Sequence, residues 1–323
     1  MFIQEYLFDP EAQAGLTVYL HEEKAEYERV GDRPFVMVIP GGGYSFCSER
    51  EAEPIALNFA AQGFHAGGLR YHVGTHRSFS HSLADAEKAI TKIRELASEW
   101  GIDAEKIAVI GFSAGGHLAA ALSTLSSMKP SLCILGYPAI LSSFATVMKI
   151  DAPSLEECVT KDTPPTFLFS TFEDNVVPIE NSLAYLQALE DHEVPFESHI
   201  FQKGRHGLSL ATERFGNRKE MVDPRFARWF DECVEWLELN WADKVAQPAL
   251  FPDLGQWPIR ALLESGENKR LLLQAFPSWA DKSRLKIVKN ISLQQLVTIM
   301  PEAFENVSYQ ALVLQLIDPR KEE

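Results

Sequence analysis

Ile110-Gly111-Phe112-Ser113-Ala114-Gly115-Gly116-His117 holds the pattern G-x-S-x-G, between an apolar run and a stretch rich in alanine and leucine. A serine on such a strand-to-helix turn is raised above the sheet. It sits near the N-terminus of the next helix, where backbone donors and the helix dipole favour negative charge. Strand and helix can pack closely only if the serine's neighbours are small, a need that Gly111 and Gly115 meet. A serine hydroxyl is a weak nucleophile at neutral pH and requires a base. On an elbow of this kind the acid and then the base follow in chain order. Asp174 is the candidate acid, in Phe172-Glu173-Asp174-Asn175-Val176-Val177-Pro178, with Glu173 as its rival. Its place four residues before the proline of a D-x-x-V-P turn favours Asp174. His206, in the glycine-flanked Gly204-Arg205-His206-Gly207, is the candidate base. Its competitors are worse placed, since His192 ends a helical stretch and His199 lies within a strand-like one.

A nucleophile of this kind also needs donors for the oxyanion it creates. Pro40-Gly41-Gly42-Gly43-Tyr44 follows the apolar run Phe35-Val36-Met37-Val38-Ile39. Glycines let backbone N–H groups face a developing charge with no Cβ in the way. Gly42 and Gly43, together with Ala114 after the serine, are the expected donors. A phosphate loop would need a Gly-Lys-Ser/Thr ending, which this segment lacks. Tyr44, Arg50 and Glu51, in and just beyond this loop, are candidates for shaping a substrate pocket. His65, His72, His76 and His81 show no helical i, i+4 pairing and no nearby acidic partners, so no metal site is expected.

The elements that must position these groups are legible as alternating patterns. Short apolar runs at 35–39, 107–110, 132–135 and 166–169, each followed by a turn, suit central strands of a parallel sheet covered on both faces. Phe196 to Phe201 reads as a further strand. Amphipathic stretches at 51–62, 82–100 and 179–192 read as helices, and Arg225 to Trp241 as one long helix with an aromatic stripe. Strand and helix alternation implies an α/β fold with a mostly parallel, doubly wound sheet, in which ligands bind beyond the carboxyl ends of the strands. Pro248, Pro252, Gly255 and Pro258 read as a linker, and beyond it only short helical patterns occur. The expected organisation is a catalytic domain over 1–245 and a small all-α module over 246–323.

Composition narrows the partners. The chain has 323 residues, 46% of them hydrophobic, and 45 acidic against 30 basic residues give a net charge of −15. Such a field repels nucleic acid and anionic membranes. Neither a basic segment followed by an apolar run at the N-terminus nor a membrane-length apolar stretch is present. Cys47, Cys133, Cys158 and Cys233 show no CxxC spacing, which fits reduced thiols and a cytoplasmic location. The expected partner is a small-molecule ester with no cofactor, and self-association into a homo-oligomer is an open expectation.

With these residues in view the chain resembles the carbohydrate-directed acetylesterases of the α/β-hydrolase superfamily, a group that includes acetyl xylan esterase-like and lipase/esterase proteins. The resemblance rests on the stretches 40–44, 48–54, Leu69-Arg70-Tyr71, 111–120, 163–167, 177–183 and 204–210. It implies a serine esterase acting on short acyl chains, acetyl above all. It also places nucleophile, acid and base at Ser113, Asp174 and His206, with oxyanion donors at Gly42, Gly43 and Ala114. The segment between Tyr137-Pro138 and Ser154-Leu155-Glu156 is short for this group. The tail beyond about 255 resembles a helical module appended to some bacterial carbohydrate esterases and glycosidases. A prolyl oligopeptidase-like peptidase shares the chain order of the three groups and is the enzymatic alternative. A non-catalytic binding protein on the same fold would ordinarily have lost its serine or histidine, and both are present here.

Overall fold

The computed structural model describes residues 1–22, 31–216, 218–242 and 254–319. Eight strands form one sheet: β1 (Phe2–Asp9), β2 (Ala14–Leu20), β3 (Arg33–Ile39), β4 (His65–Arg70), β5 (Ile102–Phe112), β6 (Leu132–Gly136), β7 (Thr166–Thr171) and β8 (Phe196–Phe201). Their order is β1-β2-β4-β3-β5-β6-β7-β8, antiparallel at β1/β2 and β2/β4 and parallel from β4 to β8. The crossovers are α1 (Glu53–Ala61), α2 (Phe79–Glu95) with the short α3 (Ala97–Trp100), α4 (Ala114–Thr124), α5 (Ser142–Val147) and α6 (Glu180–Asp191). After β8 comes α7 (Trp229–Trp241).

Alternation along each central strand feeds two cores. Phe35, Met37 and Ile39 of β3 and Ile107 and Val109 of β5 pack with Ile90, Leu118, Leu122 and Tyr185 on one face. Val36, Val38, Ala108, Ile110 and Phe112 pack on the other face with Ile55 and Phe59 of α1 and Trp229 and Leu237 of α7. Burial on both sides is why these strands are apolar throughout. The long helix expected from Arg225 is shorter than that. Phe226–Arg228 is a 3-10 turn, because the Asp223 side chain accepts from the Arg225 and Phe226 N–H groups at 2.9 and 3.0 Å and holds the entry tight. The α-helix begins only at Trp229. Its far end is fixed by Trp241, whose indole N–H donates to Ser131 Oγ at 3.1 Å.

The chain divides into two compact units, Met1–Ala242 and Asp243–Glu323. The boundary expected at 245/246, with Pro248 and Pro252 of the linker, lies outside the described residues. The second unit has its own core of Ile259, Leu262, Leu272, Phe276, Trp279, Leu293 and Leu296. Asn268, buried within it, uses both ends of its amide on the Ile317 backbone, at 2.8 and 2.9 Å. A capping box joins Ser292 and Gln295 at the start of the helix Leu293–Ile299. Among the described residues no helix is long and apolar enough to cross a membrane.

Because each unit encloses its own apolar core, a chain ending at Ala242 is expected to fold alone. A domain of this size buries on the order of 70% of the surface its unfolded chain exposes. Circular dichroism melting of the 1–242 chain should show one cooperative transition. A broad, non-cooperative loss of signal would show that the first unit depends on the second.

Candidate active site

Ser113 follows β5 and caps α4 with φ 52 and ψ −115, a strained conformation for a residue with a side chain. The turn is fixed by backbone bonds. Ser113 N–H donates to Gly136 O at 2.9 Å, and its carbonyl accepts from the His117 and Ala139 N–H groups at 3.0 and 3.2 Å. Glycine is required on both sides. A Cβ on Gly111 would lie 2.1 Å from Gly115 O, and one on Gly115 would lie 2.1 Å from Ile39 O and 2.5 Å from Pro40 O.

Asp174 and His206 converge on this serine from the loops after β7 and β8. His206 Nε2 is 2.8 Å from Ser113 Oγ, and His206 Nδ1 is 2.7 Å from Asp174 Oδ2. The other Asp174 oxygen accepts from the Val176 and Val177 N–H groups at 2.8 and 2.9 Å, an Asx turn that sets the carboxylate's direction. The Asp174 side chain is 2% exposed, whereas Glu173 next to it is exposed to solvent. His192 bonds back to Ala188 O, and His199 bonds Glu197, so neither competitor meets the serine. Asn175, not anticipated from sequence, accepts the His206 backbone N–H at 3.2 Å.

The glycine loop after β3 is restrained along its length. Tyr71 OH donates to Pro40 O at 2.9 Å, Gly41 N–H to Glu51 Oε2 at 3.0 Å, and Ser48 N–H to Gly41 O at 2.9 Å. Gly42 takes φ +126, and Gly43 takes φ +61. A Cβ at Gly42 would lie 2.0 Å from Phe46 O. Among the described residues the N–H groups of Gly42, Gly43 and Ala114 have no acceptor, unlike that of Gly41. Uncommitted backbone donors of this kind can stabilise an oxyanion that they face.

Two candidate pocket residues take a different place. Tyr44 is fully buried, with its hydroxyl bonded to His117 Nδ1 at 3.0 Å. Burial raises the Tyr44 phenol and lowers His117 to about 3, so this pair is neutral packing beneath the loop. Glu51 is 3% exposed and turned inward, where it accepts from Gly41 N–H and from Tyr137 OH at 2.6 Å. Tyr137 OH in turn accepts from Ser209 N–H at 3.0 Å, and its ring meets the His206 ring edge-on at 5.0 Å. Burial, then the Glu51 charge, drives the Tyr137 phenol well above its ordinary value. Glu51 is therefore a strut between the glycine loop and the histidine loop. Arg50 does face a cavity, of about 280 Å³, shared with His206, Asn175, Val176, Arg205 and Arg218. Its guanidinium donates to Gly207 O at 2.7 Å.

The reading that His72 lacks acidic partners is corrected. His72 Nδ1 is 2.6 Å from Asp85 Oδ2 and Nε2 is 3.3 Å from Asp9 Oδ2, contacts that join positions distant in sequence. Asp9 lies below its usual range, chiefly because it accepts the Ala12 N–H, with His72 adding to the effect. His65 is lowered to about 4, first by burial. One mixed group missed in the sequence, Glu197 and His199 of β8 with Glu232 of α7, brings three ligand atoms within 4.8 Å of one another and could hold a metal ion.

Comparison with known proteins agrees with this architecture. A BD-FAE family model matches residues 19–132, and a Prolyl oligopeptidase family model matches residues 145–235. The crystal structure of an acetyl ester-xyloside bifunctional hydrolase from Caldicellulosiruptor lactoaceticus is 33% identical. The match covers 72% of this chain and 91% of that one at a TM-score of 0.63. That of MGS-M1, an alpha/beta hydrolase enzyme from a Medee basin deep-sea metagenome library, is 38% identical and covers 74% and 98% at 0.70. The chain belongs to the carbohydrate-esterase-like branch of the α/β-hydrolase family. Endo-1,4-beta-xylanase B of Butyrivibrio fibrisolvens is 33% identical over 66% of this chain, which spans 38% of that protein's length. In this α/β-hydrolase the Prolyl oligopeptidase match covers Asp174 and His206 but stops short of Ser113.

The geometry separates the two adjacent acids. Asp174→Asn should reduce turnover of p-nitrophenyl acetate by on the order of 10⁴, by presenting a donor to His206 Nδ1 and mis-setting the tautomer. Glu173→Gln should change it no more than about twofold, as expected for a solvated charge. Steady-state kinetics showing the reverse ranking would move the orienting role to Glu173.

Proposed function

We propose that the protein is a serine carboxylesterase acting through an acyl-enzyme. The observation that carries this reading is the line of hydrogen bonds Asp174–His206–Ser113, at 2.7 and 2.8 Å, ending on a strained serine beside uncommitted backbone donors. Ser113 Oγ attacks the ester carbonyl carbon while its proton passes to His206 Nε2. The N–H groups of Gly42, Gly43 and Ala114 receive the oxyanion. The bond to the alcohol oxygen breaks, and His206 gives its proton to the departing alcohol. Water then attacks the acyl carbon, again yielding a proton to His206, and the acid leaves as that proton returns to Ser113. One water is consumed for each ester cleaved, and no cofactor enters. Asp174 holds the imidazole tautomer throughout.

An acetylated carbohydrate is the substrate class that fits best. The bifunctional hydrolase from Caldicellulosiruptor lactoaceticus, named for an acetyl ester and a xyloside, aligns over 91% of its length. The segment after Tyr137 holds only the six-residue α5 and a 3-10 turn at Leu155–Cys158. It is pinned down by Asn181, which accepts the Ile140 and Leu141 N–H groups at 2.9 and 3.0 Å. A short, tied segment offers little apolar surface for a long acyl chain. The Prolyl oligopeptidase match favours a peptidase alternative, but solved structures covered over 91% or more of their length include ones named as a carboxylesterase, a sugar hydrolase and an acetyl ester-xyloside hydrolase. Four free thiols fit a reducing compartment such as the cytoplasm.

Ser113→Ala is expected to lower kcat on p-nitrophenyl acetate by on the order of 10⁶, as removal of a triad nucleophile does elsewhere. Retention of a tenth of wild-type turnover would exclude Ser113 as nucleophile. Along a series of p-nitrophenyl esters, kcat/KM should fall steeply from acetyl to octanoyl. Equal or greater efficiency on octanoyl would mark a lipase and remove the acetyl preference.

A further inference from the structure

We infer that the alcohol part of the substrate carries a carboxylate, received by Arg205 and Arg218 beside His206; this rests on the ester-hydrolase reading above. The chain carries 45 acidic and 30 basic residues, yet the cavity next to His206 gathers Arg50, Arg205 and Arg218 against the lone carboxylate of Glu220. The neighbouring cavity, of about 510 Å³, continues the pattern with Arg218 and Lys219 facing Glu213. Arg50 is held by Gly207 O, which fixes its charge at the cavity wall. Arg205 and Arg218 are exposed, and among the described residues neither guanidinium has an ion-pair or hydrogen-bond partner. In so acidic a chain, cations left unpaired around one cavity are a local field of opposite sign, suited to drawing in an anion. A guanidinium fork matches a carboxylate with two parallel N–H···O bonds.

The position of the cavity decides which side of the ester bears the charge. It is walled by the acid and base loops, through Asn175, Val176 and His206. Of Ser113, Asp174, His206 and the oxyanion glycines, His206 is the one that lines it. His206 hands its proton to the leaving alcohol, so the group next to His206 at that moment is the alcohol. An acetylated sugar whose ring carries a carboxylate, a uronic acid, meets both requirements.

The test compares two monoacetylated methyl glycosides, a glucuronoside and the matching glucoside, with p-nitrophenyl acetate as the reference ester. The full-length chain should show kcat/KM at least about tenfold higher for the glucuronoside at low salt, a preference that shrinks as sodium chloride is raised. Arg205→Gln with Arg218→Gln should bring the ratio of the two sugars close to one. Arg205→Lys with Arg218→Lys should keep part of it, since charge survives without the fork. A wild-type ratio near one, or a ratio unmoved by the glutamine pair, would overturn the inference while hydrolysis of p-nitrophenyl acetate left the esterase reading intact. No hydrolysis of any of the three would overturn both.

Discussion

The centre depends on a contact between backbones that leaves no room for side chains. Gly115 lies so close under the end of β3 that a single added carbon would overlap the Ile39 and Pro40 carbonyls. Gly41 approaches from the other side, where a Cβ would lie 2.8 Å from Phe112 O and 3.0 Å from Ser113 Cβ. The glycine loop and the elbow are thus one packed object. Backbone strain at Ser113, of about 1–3 kcal/mol for such a conformation, persists because the packing of β3, β5 and α4 over-determines it. Strain and close approach together hold the serine turn against the start of the glycine loop.

A second constraint ties this object to the His206 loop. Glu51 bridges the Gly41 N–H and the Tyr137 hydroxyl, Tyr137 holds the Ser209 N–H, and Ser209 Oγ donates to Arg50 O at 2.7 Å. Trp229 of α7 closes the chain by donating its indole N–H to Ser209 O at 2.9 Å. A buried carboxylate is costly to desolvate, so such a network stabilises only when its members are satisfied. Here it joins the loops after β3, β6 and β8 to the last helix of the unit. Positive φ at Tyr44, Tyr137, Ser209 and Ala211 marks the same loops as over-determined.

What the sequence revealed follows from where side chains lie. Strands buried on both faces are continuous apolar runs, so β3, β5, β6 and β7 were readable. β4 was not, because His65–Arg70 carries two central glycines that look like a turn. Gly67 needs to be glycine, as its Cβ would meet Thr17 O at 2.8 Å and Phe35 Cζ at 2.9 Å. β1 escaped because it is the edge strand, half exposed and weakly alternating. Turn chemistry on each side singled out Ser113, Asp174 and His206, and the fold brings the three side chains together. Tyr44 and Glu51 were misplaced because adjacency to a loop does not say which way a side chain turns. The partners of His72 lie 13 and 63 positions away, and only the folded sheet brings them to it.

The central claim is that Ser113, activated by His206, is the group that bonds covalently to the carbonyl carbon. An active-site organophosphate, diethyl p-nitrophenyl phosphate, tests it directly, because it transfers its phosphoryl group to an activated serine and releases p-nitrophenol. Peptide mass spectrometry after incubation should find one diethylphosphoryl group, on the peptide that contains Ser113, and none after His206→Ala. Labelling at another residue, or labelling of Ser113 that is undiminished without His206, would contradict the account.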